Sequence, residues 1–168
     1  MNEQILQDVV ETQRGRFYGK YRGTVTQVDA GTMRIKAKVP AVLGSTESGW
    51  ALPCVPYAGD SVGFAFLPEV DSAVWIEFEG GNVSFPIWTG GFWLSSQVPS
   101  DAAAAVKVIV TKQLKLLFDD DQDSITIQDS NGNSVTLNSS GITLSNGSQT
   151  VQVSDSEVNV NNGALEVM

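Results

Sequence analysis

The sequence predicts an all-β chain in two unlike parts, a small closed barrel of five strands followed by a repeating β-tail that cannot build a core without further copies of itself. Three observations lead there. From about Gly19 onward, apolar residues alternate with polar ones at a period of two. Thirteen of the fourteen aromatic residues precede residue 99, leaving only Phe118 beyond it, and all six prolines lie at or before Pro99. From Leu114 onward, apolar pairs spaced i, i+2 return at short intervals between Ser, Asn and Gly turns.

Composition narrows the chemistry. The 168 residues are 42% hydrophobic and 17% charged, ordinary globular material. Ten Lys and Arg against nineteen Asp and Glu give a formal charge of −9, and histidine is absent, which excludes histidine-based triads, metal sites and pH switches. The single Cys54 cannot form an intrachain disulfide, and between Pro53 and Val55 it reads as a buried apolar residue without a base to activate it. No run approaches the roughly 18 apolar residues of a membrane helix, and Met1-Asn2-Glu3 opens neither a basic nor an apolar leader. Synthesis in a reducing cytoplasm without a signal peptide is the expectation. No cofactor, metal or catalytic residue is expected.

Residues 1–15 read as a short helix. Asn2 is placed to cap it, and Ile5, Leu6, Val9 and Val10 fall on one face. So short a helix is marginal alone in water and has to dock, on its own domain or on a partner.

Residues 16–98 read as the barrel. Met33, Ile35, Ala37 and Val39 alternate with Arg34, Lys36 and Lys38; Val62, Phe64 and Phe66 alternate with Gly63 and Ala65; Val74, Ile76 and Phe78 alternate with Trp75, Glu77 and Glu79. Each reads as a half-buried strand. Asp29-Ala30-Gly31-Thr32 makes a hairpin, and Gly80-Gly81-Asn82 turns the chain again. About five strands in so short a span fit an OB-fold barrel better than a seven-stranded sandwich. That shape raises single-stranded nucleic-acid binding as the alternative function, with Lys20, Arg22, Arg34, Lys36 and Lys38 beside Phe17, Tyr18 and Tyr21. The domain is nonetheless net acidic, with seven bases against ten acids in residues 1–98, so no nucleic-acid partner is expected.

Residues 99–112 read as a linker and residues 113–168 as the repeat. A single-chain β-helix needs about twenty or more residues per coil, because one chain must supply every face. The apolar pairs here begin at Ile125, Val135, Ile142, Val151, Val158 and Leu165, a spacing of seven to ten residues. That is one strand and one turn, hence one face of a prism whose other faces come from other chains. Two inward side chains per strand are too few to bury alone. An intertwined trimeric β-helix, or β-prism, follows, with Ile125, Ile127, Val135, Leu137, Ile142, Leu144, Val151, Val153, Val158 and Val160 toward the shared axis. It displaces an edge-exposed β-meander and a disordered Ser/Asn tail. The cluster Asp119-Asp120-Asp121 with Asp123 reads as a solvated turn, since Ser124 and Ser130 stand where a calcium loop needs Gly and Glu.

The stretches LPCVPYAG at Leu52–Gly59, VGFAFLPEV at Val62–Val70, VWIEFEGG at Val74–Gly81 and FPIWTGGFW at Phe85–Trp93, in that order and ahead of a β-repeat tail, resemble the central spikes of contractile tails. This is the family of phage baseplate assembly protein V, the T-even-type hub lysozyme and the type VI valine-glycine repeat protein. The resemblance implies a homotrimeric structural spike of a tail baseplate or cytoplasmic injection machine, made in a bacterial cytoplasm, that docks on a hub ring and is driven through the target cell envelope. Within it, Ile5, Leu6, Val9 and Val10 become candidates for the hub contact. The sequence departs from the family pattern in having Asp71-Ser72 where Gly-Asp is familiar, no room for a lysozyme domain, and no His-x-His iron site at its end. A separate tip protein seated on Leu165, Val167 and Met168 is therefore expected.

Overall fold

The computed structural model describes residues 3–167, so Asn2, the expected cap, and Met168, an expected tip contact, lie outside the described residues. The chain divides into two compact units, one ending at Ser96 and the other beginning at Gln97.

In the first unit, helix α1 spans Glu3–Arg14, with Arg14 in its last turn where a cation suits the helix dipole. Val9 and Val10 on it are half exposed. Beyond the helix the Phe17 N–H donates to the Gly81 carbonyl at 2.8 Å and Arg16 Nη1 to the Gly80 carbonyl at 3.2 Å, which ties the chain to the turn Glu79–Gly81. Strands β1 (Tyr21–Asp29), β2 (Arg34–Lys38), β3 (Leu52–Pro53), β6 (Ala73–Phe78) and β7 (Pro86–Gly91) form one sheet in the order β2-β1-β6-β7-β3. The turn between β1 and β2 is held by Asp29, whose carboxylate accepts the Gly31 N–H at 3.0 Å. The sheet curls until its two edges meet. Ile35 and Ala51 form an antiparallel bridge, the Ala51 N–H donating to the Ile35 carbonyl at 2.7 Å.

Curling turns one face of each strand inward. Val25, Ile35, Ala37, Val39, Ala51, Val74, Ile76, Phe78 and Trp88 form the buried core. Its polar atoms are paired. Trp88 Nε1 donates to the Met33 carbonyl at 3.1 Å, while the buried Ser48 hydroxyl accepts the Ala37 N–H at 3.0 Å and donates to the Gly49 carbonyl at 2.7 Å. The alternation read at Val74, Ile76 and Phe78 is the burial pattern of β6.

Three features differ from the sequence expectation. The short helix α2 (Pro40–Leu43), opened by its proline, has no counterpart in the sequence reading. Val62, Phe64 and Phe66 are not half-buried: only Val62–Gly63 is a strand, β5, which pairs with β4 (Ala58–Gly59) in a two-stranded hairpin. Among the described residues no second layer covers this arm, so Tyr57, Val62, Phe64 and Phe66 are all more than half exposed. Cys54 is exposed and not buried, because its neighbours Pro53 and Val55 take the inward positions and Val55 packs against the core.

The second unit is one antiparallel sheet of eight strands in chain order: β8 (Val106–Val110), β9 (Leu114–Asp119), β10 (Ser124–Asp129), β11 (Asn133–Asn138), β12 (Gly141–Asn146), β13 (Gln149–Val153), β14 (Val158–Val160) and β15 (Leu165–Val167). The meander begins with β8, inside the stretch read as a linker. By itself the chain makes an open sheet; a prism requires further copies. Glycine is obligatory at the tight turn into β12, where Gly141 has φ +114° and a Cβ would stand 2.0 Å from the Val153 carbonyl oxygen.

All four tryptophans lie in the first unit, so their emission reports that unit alone. Replacing the fully buried Ile76 by Ala is expected to cost about 2–5 kcal/mol in the tryptophan-detected urea unfolding of the chain. A loss under 1 kcal/mol contradicts the assigned core.

Candidate functional site

The tail's strands are short, and in each the alternation puts apolar side chains on one face. Pairing brings these into two continuous columns. Phe118, Ile125, Leu137, Ile142, Val153, Val158 and Val167 stand opposite one another in the first; Leu116, Ile127, Val135, Leu144, Val151, Val160 and Leu165 form the second. All ten residues read as core positions therefore share one face, together with Leu165 and Val167 from the last strand. Leu116 and Phe118 join them. Their own i, i+2 spacing was the signal for this, and they were not counted as core.

That face is uncovered. Ile127 is 52% exposed and Leu144 48%, although isolated chains seldom present apolar patches this continuous. Ten of the fourteen side chains are exposed, the other four partly buried, and burying the ten is worth about 1 kcal/mol each, on the order of 10 kcal/mol per chain. This is comparable with the association cost of about 4–15 kcal/mol. The opposite face is polar: Thr126, Thr136, Thr143, Gln152 and Asn159 line up across the same strands. β8 and β9 depart: Val106, Val108 and Val110 pair with Asp119, Leu117 and Lys115, which puts Leu117 on that second face as well.

Beside the apolar columns runs a polar one that sequence reasoning missed, made by Asp129, Asn133, Asn146 and Gln149. Each sits two residues beyond an apolar ladder position, which is the pattern that identifies them. Asn133 pairs with Asn146 and Asn146 with Gln149 across the sheet, and Asn161 Nδ2 donates to Gln149. Asp129 clips the turn between β10 and β11: its Oδ1 accepts the N–H groups of Asn131 at 2.8 Å and Asn133 at 2.9 Å, and its Oδ2 accepts Asn133 Nδ2 at 2.7 Å. Hydrogen bonding from the Asn133 side chain, then from these backbone groups, holds the Asp129 carboxyl below its ordinary value of 3.8. Together the polar column and the second apolar column line a shallow concavity of about 540 Å³.

The other sequence candidates lie apart. Val9 and Val10 stand half exposed on α1 in the first unit, along the helix from Ile5 and Leu6. Two of the barrel's basic residues are committed to ion pairs: Lys20 pairs with Glu77 at 2.9 Å and Lys36 with Glu47 at 3.1 Å. Arg22 lies over the rings of Trp75 and Phe92, and Phe17 and Tyr21 pack against the core. The Asp119 carboxylate accepts the N–H groups of Asp121 and Gln122, which makes the acidic cluster a capped turn.

Two family models match the chain in succession. The type VI secretion system/phage-baseplate injector OB domain matches residues 21–93, and the phage baseplate V C-terminal trimerisation domain matches residues 106–166. The chain belongs to the baseplate spike family of phage tails and type VI injectors. Its curled sheet is the OB domain of that family, and the open meander is its trimerisation domain, so the spike chain is a structural component that assembles as a homotrimer. A search of curated proteins returned no match. Among the described residues no helix is long and apolar enough to cross a membrane.

The faces assigned here separate two neighbouring substitutions. Ile142→Asp buries a charge three times in the shared interface, at several kcal/mol each, and is expected to abolish the trimer. Thr143→Asp, one residue on and facing the other way, is expected to leave it intact by sedimentation. The Asp129 clip gives a pH dependence. A carboxyl lowered on folding stabilises above its unfolded value and loses that contribution as pH falls through the folded one. Hydrogen-exchange protection of the Asn133 amide is expected to be full above pH 3.8, to fall below it, and to be weak at every pH in Asp129→Ala.

Proposed function

We propose that this protein is the central spike that a contracting tail or injection machine drives through a cell envelope, acting by force and not by catalysis. The uncovered two-column ladder, within the region matched by a trimerisation domain, is the observation that carries the reading. Three such sheets set around one axis close into a β-prism with a dry Val, Ile and Leu interior. Backbone hydrogen bonds are satisfied within each chain along the meander, so the copies need to share only their apolar faces. The polar outer face keeps separate prisms from adhering.

The barrel unit docks on the hub. Two surfaces suit it: helix α1, in which the sequence carries Ile5, Leu6, Val9 and Val10, and the arm bearing Tyr57, Val62, Phe64 and Phe66. At the other end, Leu165, Val167 and Met168 meet a separate tip protein; Leu165 and Val167 also continue the ladder and so contribute to the trimer.

A sedimentation measurement tests the core of this reading. A trimer of about 54 kDa, three times the 18.0 kDa chain, is expected, and a folded monomer overturns it. In the same preparation, Phe64→Ser with Phe66→Ser is expected to keep the trimer mass and lose co-purification with the hub protein. Retained hub binding removes the arm from the proposal.

A further inference from the structure

Asparagine followed by glycine is the step most open to spontaneous loss of a side-chain amide, because glycine has no Cβ to hold its nitrogen away from the asparagine side chain. The tail has three such steps, Asn131-Gly132, Asn146-Gly147 and Asn162-Gly163, each at a turn of the sheet. The fold sets them apart. The Gly163 N–H is engaged, donating to Asn159 Oδ1 at 2.8 Å. The Gly132 N–H donates weakly to the Asp129 carbonyl at 3.5 Å, and the Asn131 amide lies 3.4 Å from the Asp129 carboxylate, whose charge opposes a second anion on the adjoining peptide. Gly147 differs: among the described residues its N–H donates to nothing, and the Asn146 side-chain amide is likewise unengaged. Asn146, Gly147 and Ser148 are all exposed, and apart from its chain neighbours no atom comes within 4 Å of where a Gly147 Cβ would stand. The Asn146 carbonyl accepts the Ser148 N–H, which draws electron density from the same peptide whose nitrogen has to give up its proton.

We infer that Asn146-Gly147 is a site of spontaneous deamidation in the folded chain, while the fold guards Asn131 and Asn162. The Gly147 amide proton passes to hydroxide, and the nitrogen attacks Asn146 Cγ. The N–Cγ bond forms, the Cγ–Nδ2 bond breaks, and Nδ2 takes up a proton and leaves as ammonia. Water then adds to one of the two ring carbonyl carbons beside the imide nitrogen and opens the succinimide, giving aspartate or isoaspartate at position 146 with no change of oxidation state. Either product adds a negative charge to the row of Asn133, Asn146 and Gln149. Isoaspartate also routes the main chain through the side chain, one methylene longer, immediately before the two-residue turn between β12 and β13, and so disturbs the register of that pair. This chemistry goes beyond the spike reading and belongs to a single folded tail, whatever its assembly.

The test incubates the full chain in mildly alkaline buffer and locates each converted asparagine over time by tandem mass spectrometry of its peptides. Asn146 is expected to convert first, about tenfold faster than Asn162, whose glycine has to break a hydrogen bond before it reacts. In urea, where the fold no longer distinguishes the three steps, their rates are expected to converge. Asn159→Ala frees the Gly163 N–H and is expected to bring Asn162 up toward the rate of Asn146 without changing Asn146 itself, whereas Asn159→Asp, which keeps an oxygen acceptor, leaves Asn162 slow. Circular dichroism of both variants checks that the sheet is retained, and the comparison with urea needs no variant. Conversion of Asn131 or Asn162 as fast as Asn146 in the folded chain, or the same spread of rates in urea, overturns the inference.

Discussion

The tail sheet has an apolar face that stays exposed in the single chain. From β9 onward each strand contributes at least two apolar residues to that face, and successive strands return after only a short turn, so the meander keeps no segment of its own for a second layer. Backbone pairing alone leaves that face wet. Other copies are required for burial, and the rest of the tail is consistent with that requirement: short polar turns, a polar outer face, and a polar column set at one edge of the ladder. The association energy is of hydrophobic origin.

The barrel meets the same requirement within one chain. Its sheet is long enough to curl, and the bridge between Ile35 and Ala51 brings the edges together so that one face covers itself. Bulky residues such as Phe78 and Trp88 fill the enclosed space, and the polar atoms carried inward by Ser48 and Trp88 find backbone partners. A self-sufficient unit is joined in one chain to a unit completed only on trimer assembly.

Much of this was readable before the fold was known. Period-two alternation identified β2, β6 and every tail strand from β9 onward, because side chains on a strand alternate faces regardless of context. The same rule failed at Val62, Phe64 and Phe66. Alternation there is genuine, but burial depends on a second layer, and the hairpin arm has none. Cys54 was misread for a related reason: hydrophobic neighbours imply burial only when the residue shares their face, and it stands between two inward-pointing ones. The polar column went unseen because asparagines beside turns ordinarily mean turns; only cross-strand register lines Asn133, Asn146 and Gln149 into one row.

The sequence by itself determined strand periods, turn positions, the split between an aromatic-rich unit and a β-branched one, and the shortage of apolar side chains per tail strand. These are local quantities, set by residue type and spacing. Tertiary structure decided the closure of the barrel, the exposure of the hairpin arm and Cys54, and the merging of separate apolar pairs into two continuous columns. Those depend on which strands become neighbours and in what register, and a one-residue shift of register moves every side chain to the other face.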